Sequence, residues 1–252
     1  MISDPWFYAL AIPAVLLLGM SKGGFAGGLG ILGVPIMSLT ISPIQVAGIL
    51  LPILIVMDMI GFWAYRKTFH KENLLIVLPG AIIGILLGFI TAAYVTDDFV
   101  RVLVGVIAVG FALDHWIAKR ADAAPTSVNR TKGSFWGTVS GFTSFVVHAG
   151  GTPLQVYMLP QKLDKRIYVG TSVMFFAIVN LVKVPPYAFL GQLDAANLTT
   201  SLVLLPLAPI GMILGIKALN LIPERPFYVV TYIALFVAGC KLLWDGVAGM
   251  LA

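Results

Sequence analysis

Long apolar runs are the feature that most constrains how this chain can fold. They occupy about residues 43–64, 74–95, 99–118, 168–190, 199–219 and 227–247. Each run is long enough to cross the hydrocarbon core of a membrane as a helix. Mean hydropathy is +0.98 and charged residues make up 11% of the chain, whereas a soluble domain carries roughly 25%. This composition predicts an all-α integral membrane protein in which only short loops reach water.

The charge and the cysteine count exclude several other classes of protein. The net charge of +5 comes from basic residues in short loops between the apolar runs, which indicates a positive-inside topology signal rather than nucleic-acid binding. The single cysteine, Cys240, cannot build a disulfide framework or a zinc site. We therefore expect no cofactor and no metal. The N-terminal stretch lacks a basic n-region and an A-x-A cleavage site, so we expect it to remain in the mature protein.

Two further apolar segments, about residues 5–40 and 134–160, are interrupted by glycine and proline. They match at an offset of 118 in four pairs: Gly19 with Gly137, Gly23 with Gly141, Gly33 with Gly151, and Pro35 with Pro153. The match resumes downstream in three pairs: Pro79 with Pro206, Gly84 with Gly211, and Gly88 with Gly215. The pattern predicts an internal duplication, with a first transmembrane repeat at 1–120, a polar cytoplasmic linker at 121–132 and a second repeat at 133–252.

Loop charges favour one of two arrangements of the Gly-rich segments. If each segment is one full span, lysine and arginine divide nine against six between the two sides of the membrane. If each is a re-entrant hairpin followed by three spans, the split is twelve against three, with Lys183 beside Pro185-Pro186 marking an outer helix end. The second arrangement obeys the positive-inside rule better. We therefore expect inverted repeats, each a broken helix or re-entrant hairpin plus three spans, in the cell inner membrane with both termini outside the cytoplasm.

The interrupted segments are where we expect the functional site. Backbone that leaves the helix at membrane depth survives only where it is buried in protein or lines a wet cavity. Paired interruptions predict a midplane site where half-helix N-termini direct N–H groups at an anion. Close helix packing explains Gly19 and Gly23, or Gly84 and Gly88, equally well. The denser clusters favour a loop or a half-helix start: Gly23-Gly24, Gly27-Gly28 and Gly150-Gly151.

Three ionisable residues inside these apolar segments are functional candidates, because a charge at membrane depth is costly without a partner. Lys22 is expected to meet an anion, or else to extend towards a nearby interface. His148 is expected to donate to an oxyanion or pass a proton, or else to be a neutral core histidine bonded to a carbonyl. Asp58 lies deep in a secure span and is the leading group for proton or cation coupling. A structural pair with Lys22 or a helix cap is the alternative for Asp58.

The predicted substrate-binding set adds neutral groups to Lys22 and His148. These are Ser21, Gly23, Gly24, Thr143, Ser144, Gly150, Gly151, Thr152, Gln155 and Asn180. Each polar residue alone is more often a contact between helices than a ligand, but together they favour a polar cavity. Asn180 falls close to the counterpart of Asp58, which suggests equivalent positions on the two repeats.

The tandem Gly-rich blocks, each with a proline just after its last glycine (Gly33-Val34-Pro35 and Gly151-Thr152-Pro153), resemble the sulfite exporter TauE/SafE family of small permeases. The resemblance covers the whole chain, through its length, its duplication and the basic loop after residue 65. It implies transport, usually export, of sulfur-containing anions such as sulfite, sulfonates or related organic acids. The resemblance assigns no functional role to any single residue of this chain.

Together these patterns predict a secondary transporter, not an enzyme, that alternates access to its midplane site. An anion channel, a carboxylate permease and a membrane assembly factor are the open alternatives. An intramembrane hydrolase built on Ser144 and His148 lacks a G-x-S-x-G context, and an ATP-driven pump lacks a Walker A sequence. The expected partners are a small anionic substrate, the lipid bilayer and, as an open alternative, a second copy of the chain in a homodimer.

Overall fold

The computed structural model of the chain describes residues 1–25, 33–92, 94, 96–117 and 124–251, and all regular structure in these residues is helical. The helices are α1 (Pro5–Gly24), α2 (Gly33–Met37), α3 (Pro43–Tyr65), α4 (Lys71–Thr91), α5 (Asp97–Ile117), α6 (Arg130–Val147), α7 (Gly151–Met158), α8 (Lys165–Phe189), α9 (Ala195–Leu204), α10 (Leu207–Leu221) and α11 (Glu224–Leu251), with a 3₁₀ turn at Leu159–Gln161. By length and composition, six helices of the described residues could cross a membrane, or seven if α9 and α10 form one bent span. The predicted fold class, an all-α membrane protein, is confirmed.

Local chemistry explains where the helices begin. The Asp4 carboxylate accepts the Trp6 N–H at the start of α1, and the Ser42 hydroxyl accepts the Gln45 N–H at the start of α3. A proline follows each of these caps, at the helical position where an N–H has no partner to lose. Outward faces of the long helices stay apolar, which suits contact with lipid rather than water.

One predicted span is not a continuous helix. Residues 199–219 divide into α9 and α10, whose axes differ by 47° at a break beside Pro206. Proline lacks the N–H that would continue the ladder. Pro79, its predicted counterpart, nevertheless lies inside the continuous helix α4. A proline alone therefore does not decide where a helix in this chain breaks.

The second Gly-rich segment folds as a hairpin of α6 and α7, as the re-entrant arrangement requires. At the tip, the Ser140 hydroxyl donates to the Gly150 carbonyl at 2.6 Å, so α7 begins beside the last turns of α6. At the open end, the Thr126 N–H donates to the Pro160 carbonyl at 3.0 Å. The chain thus returns to the side from which it entered. The expectation that Gly150-Gly151 marks a half-helix start is confirmed, since α7 begins at Gly151.

The first Gly-rich segment fits the same arrangement. Gly33, at the start of α2, lies against the Leu18 side chain of α1. Val34 and Met37 share a buried cluster with Phe7 near the beginning of α1. The chain therefore folds back beside α1. The tip of this segment, including Gly27-Gly28, lies outside the described residues.

Each hairpin packs against a helix from the other half of the chain. A Cβ on Gly19 of α1 would lie 2.8 Å from the Gly211 backbone of α10. A Cβ on Gly84 of α4 would lie 2.7 Å from the Phe142 backbone nitrogen of α6. Such close backbone approach requires glycine. The two halves of the chain are therefore intertwined, and the packing interpretation of Gly19 and Gly84 is the right one.

Matching tyrosine contacts show which positions of the two halves are equivalent. The Tyr65 hydroxyl of α3 donates to the Gly23 carbonyl near the end of α1, and the Tyr187 hydroxyl of α8 donates to the Phe145 carbonyl near the end of α6. Both members of each pair differ by 122 positions, one helical turn more than the offset of 118 in the sequence match. The offset of 118 does hold where α2 and α7 begin.

Contacts between loops group the basic residues at one end of the molecule. The Lys165 ammonium donates to the Leu219 carbonyl at 2.8 Å, and Arg166 donates to the Asn220 side chain at 2.8 Å. The His70 N–H, in the basic loop after α3, donates to Thr171 at the same end of α8. This grouping matches the hairpin arrangement that the loop charges favoured. That this end faces the cytoplasm stays a prediction.

Candidate anion site

The two hairpins meet the middles of α3 and α8 at a cavity of about 50 Å³. The described residues that line it come from both halves: Leu18, Lys22, Val34, Leu50, Leu54, Ser144, His148, Gly151, Phe176 and Asn180. Five of the predicted site residues are among them: Lys22, Ser144, His148, Gly151 and Asn180. The cavity therefore lies where paired interruptions of the helices predict a binding site.

The first half-site, which we define as Lys22, Asp58 and Asn180, is a closed ion pair with an added amide. Lys22, in the last turn of α1, pairs with the Asp58 carboxylate in α3. The Asn180 amide of α8 donates to the second Asp58 oxygen at 2.6 Å. Lys22 is 7% exposed and Asp58 3% exposed, so the pair lies in the interior and Lys22 does not extend to an interface. The alternative role for Asp58, a structural pair with Lys22, is confirmed as a contact.

The second half-site, which we define as Lys183, Ser144, His148 and Tyr187, contains a lysine with neutral acceptors. Lys183 of α8 is fully buried. Its ammonium lies 3.1 Å from the Ser144 carbonyl, 3.3 Å from the Ser144 hydroxyl and 3.3 Å from His148 Nδ1. Ser144 and His148 line the cavity. The Lys183 charge therefore lies directly behind the cavity wall.

Hydrogen-bond donors and acceptors assign the tautomer of His148. A lysine ammonium only donates, so His148 Nδ1 accepts from Lys183 and its proton must lie on Nε2. His148 Nε2 then donates to the Tyr187 oxygen, 3.1 Å away. The Tyr187 hydroxyl in turn donates to the Phe145 carbonyl at 3.0 Å. His148 is neutral in this chain of bonds, so the groups that accept hydrogen bonds from Lys183 carry no counter-charge.

The backbone holds His148 in place at the hairpin tip. His148 caps α6 in the left-handed conformation, with a φ of 53°. A left-handed cap residue commonly ends a helix, because its geometry lets the following backbone satisfy the last carbonyls. The Ala149 N–H accordingly donates to the Thr143 carbonyl at 3.1 Å. The turn thus aims the imidazole at α8 instead of continuing the helix.

The position of Lys183 corrects the expectation that it marks an outer helix end. Pro185 and Pro186 lie inside α8, which continues to Phe189. Membrane helices tolerate prolines where neighbouring groups satisfy the freed carbonyls. A sequence signal for the correct position did exist, since Lys183 follows Asn180 by one helical turn and therefore shares its face.

Gly23 and Gly24 also correct a prediction, because neither begins a loop or a half-helix. Both lie in the last turn of α1. Added Cβ atoms would meet the backbone of Met212 and Gly215 in α10. Close packing between helices therefore accounts for this cluster. The Gly23 carbonyl also accepts a hydrogen bond from the Tyr65 hydroxyl.

The remaining predicted residues surround the cavity without lining it. Ser21 and Thr152 are buried beside Lys22 and Gly151 in the chain. The Thr143 hydroxyl donates to the Val139 carbonyl of its own helix at 2.8 Å. Gln155 is 1% exposed, and its amide group has no hydrogen-bond partner among the described residues. Gln155 lies one turn after Gly151 on α7, on the same helical face.

The hydrogen bonds of the second half-site argue against the hydrolase alternative. A serine nucleophile needs a base with a free ring nitrogen to take its proton. Both ring nitrogens of His148 are engaged, one by Lys183 and the other by Tyr187. The Ser144 hydroxyl itself lies against the Lys183 ammonium. These contacts fix the Lys183 ammonium and the orientation of the His148 ring, and they do not activate Ser144 as a nucleophile.

The fold and the cavity define a helical membrane protein in which intertwined halves enclose a small chamber lined by both apolar and polar side chains, the architecture of a membrane transporter. The model of the family described as Sulfite exporter TauE/SafE matches residues 11–242. The chain therefore belongs to this family of membrane transporters, and the resemblance seen in the Gly-rich blocks is confirmed. Comparison with curated proteins and with solved structures gives no match.

Proposed function

We propose that this protein is a secondary transporter that moves a small sulfur-containing anion, such as sulfite or an organosulfonate, out of the cell across the cytoplasmic membrane. The observation that carries the proposal is the buried Lys183 ammonium, which faces neutral acceptors behind a cavity lined by both halves. A buried charge without a counter-charge is costly and attracts an ion of opposite sign. Membership of the TauE/SafE family supports a sulfur-containing anion.

The size of the cavity supports a small solute. To hold one buried water, a cavity needs roughly 10–15 Å³ of space open to the centre of a water molecule. A cavity that offers about 50 Å³ of such space therefore holds about three to five water-sized groups. Sulfite, with one sulfur and three oxygens, is of this size. Larger sulfonates would require the cavity to widen.

The position of the cavity supports alternating access. Its lining combines α1, α2 and α3 of the first half with α6, α7 and α8 of the second. Movement of the group that contains α1 and α10 against the group that contains α4 and α6 would therefore change which side of the membrane the same residues face. The intertwined packing of α1 with α10 and of α6 with α4 provides two rigid groups for such a movement. The basic loops would lie in the cytoplasm of an inner-membrane protein.

Transport assays in proteoliposomes test the proposal. Uptake of ³⁵S-labelled sulfite, of labelled sulfonates and of a labelled carboxylate would be measured with and without a pH gradient. We expect saturable uptake of the sulfur anions that is accelerated by unlabelled sulfite inside the vesicles, because a carrier returns faster when loaded. Linear, non-saturable flux would indicate a channel, preference for the carboxylate would indicate a carboxylate permease, and absence of all flux would contradict the proposal.

A further inference from the structure

The buried charges of the two half-sites do not cancel in the part of the chain that the structure describes. Lys22 and Asp58 neutralise each other as an ion pair. Lys183 adds a second positive charge, and its acceptors on Ser144 and His148 are neutral. Residues 26–32, which lie outside the described residues, contain no ionisable side chain in the sequence. The interior site therefore carries a net charge of +1 when these three groups are ionised.

The Asp58 carboxylate is a fixed negative charge at this site. One of its oxygens is held by Lys22 and the other by Asn180. Both of these partners line the cavity. An anion that binds in the cavity therefore contacts Lys22 and lies near the Lys183 ammonium and the Asp58 carboxylate, which are buried just behind the lining. The Asp58 carboxylate cancels part of the attraction between the ammonium groups and the bound anion. It also repels a second negative charge on that anion.

We propose that the site selects monovalent anions over divalent anions of the same size, and that Asp58 sets this selectivity. A guest with one negative charge brings the buried charge to zero, whereas a dianion leaves an excess negative charge in a low-dielectric interior. This inference rests on the proposed function, since it specifies the charge of the transported anion. For sulfite, the transported form is then hydrogen sulfite, HSO₃⁻, which carries one negative charge. It also gives the ion pair of Lys22 and Asp58 a role in selectivity beyond holding α1 against α3.

Methanesulfonate and sulfate are a matched pair of probes for this selectivity. Both have a tetrahedral sulfur and five non-hydrogen atoms, but methanesulfonate carries one negative charge at neutral pH and sulfate carries two. Proteoliposomes would be loaded with one unlabelled anion, and uptake of the same labelled anion would be measured. Exchange of this kind needs neither an ion gradient nor a defined direction of transport. We expect methanesulfonate exchange to exceed sulfate exchange by about tenfold or more in the wild type.

A series of variants separates total charge from the identity of the residues. Asp58→Asn raises the net charge to +2, so the ratio of methanesulfonate to sulfate exchange should fall at least about fivefold. Lys22→Met combined with Asp58→Asn returns the net charge to +1 and should restore a ratio near that of the wild type. Asp245→Asn is the matched control, because Asp245 pairs with Lys241 within α11 and should leave the ratio unchanged.

The outcomes distinguish this inference from the proposed function. Similar exchange of the two probes by the wild type would overturn the inference, and this test stands even if Asp58→Asn does not fold. A folded Asp58→Asn protein with the wild-type ratio would also overturn it. Sulfite exchange in the same vesicles shows whether transport itself is intact. If sulfite exchanges while the ratio is near one, only the charge selectivity fails; if none of the three anions exchanges, the proposed function fails with it.

Discussion

The two half-sites occupy equivalent positions in the two halves of the chain, but their buried lysines have different hydrogen-bond partners. In the first, Lys22 lies on the hairpin helix α1 and meets Asp58 on the long helix α3. In the second, Lys183 lies on the long helix α8 and meets Ser144, which is the counterpart of Lys22 at the offset of 122. The lysine thus lies on the hairpin helix in the first half-site and on the long helix in the second.

The second half also lacks the carboxylate that neutralises the first. The counterpart of Asp58 is Asn180, and the Asn180 amide donates to the Asp58 carboxylate instead of forming a pair of its own. The first half-site therefore carries its own anion, whereas the second has a cation and neutral acceptors. Two halves with such unequal charges can attract one anion instead of two. This difference between the half-sites is what the following predictions test.

Removing the carboxylate of the first half-site should produce the largest effect on stability. Asp58→Asn leaves Lys22 buried without its partner, which is expected to lower the free energy of unfolding by about 3–5 kcal/mol. Transport should also fall, without loss of membrane insertion. Thermal unfolding of the purified protein in detergent measures the first effect. Lys22→Met combined with Asp58→Asn should recover most of the stability, and a stable Asp58→Asn protein would contradict the closed-pair description.

Removing the cation of the second half-site should abolish most transport. Lys183→Met keeps much of the side-chain volume but removes the charge that we assign to anion attraction. Loss of one charge from a buried interaction costs at least about 2 kcal/mol, so the initial rate of sulfite exchange should fall by about 30-fold or more. Lys241→Met, in the peripheral pair with Asp245, is the matched control. Exchange by Lys183→Met at the rate of this control would remove Lys183 from the mechanism.

The ion pair of the first half-site offers a direct contrast. Lys22→Met combined with Asp58→Asn removes the pair as a unit and leaves the net buried charge at +1, so it should lower transport less than Lys183→Met does. Parallel rates of sulfite exchange for the two proteins, each divided by the amount of protein inserted, measure this difference. An equal or larger loss in the double variant would place the anion at the first half-site instead.

Packing between the halves should be sensitive at the glycine contacts. Gly84→Ala places a methyl group against the backbone of α6, and overpacking of this kind costs about 1–3 kcal/mol of stability. Gly110→Ala is the control, since a Cβ at Gly110 of α5 meets nothing within 4 Å. Melting temperatures of the two variants in the same detergent give the comparison. Equal melting temperatures would contradict the intertwined contact of α4 with α6.

The smallest predicted difference concerns the two equivalent tyrosines. Tyr65→Phe and Tyr187→Phe each remove a hydrogen bond to a carbonyl near the end of a hairpin helix, worth about 1 kcal/mol. Tyr187→Phe also removes the acceptor of His148. Similar losses of stability are therefore expected, with a larger loss of sulfite exchange in Tyr187→Phe. Identical exchange rates would show that the orientation of His148 does not affect transport.

The sequence predicted the features of the fold that depend on composition and period. Apolar runs located the long helices. The paired interruptions located the hairpins and the cavity, because clustered glycine and proline disfavour a continuous helix at that point in the sequence. The partner of Gly23-Gly24 was not predictable in this way. Whether a glycine pair ends a helix or admits another backbone depends on α10, which is distant in the chain.

The site was predicted in part for the same reason. Lys22, Asp58, His148 and Asn180 stand out because polar residues are rare in apolar segments. Lys183 did not, since the prolines after it suggested a helix end that the packing around α8 overrides. The register between α1 and α6 also differs by one turn from the sequence match, because the connections after these helices differ in length, with α2 and α7 beginning at Gly33 and Gly151. A difference in loop length therefore changes the offset of the sequence match, while the tyrosine contacts of the two halves stay equivalent.

The most direct test of the account is to locate a bound anion. Selenite has the shape of sulfite, and its selenium gives an anomalous X-ray signal that identifies its position without ambiguity. Crystals grown with selenite should show one selenium peak in the cavity, with its oxygens within about 4 Å of the Lys22 or Lys183 ammonium nitrogen. A cavity without selenium in crystals that hold the ion elsewhere in the membrane region would contradict the account.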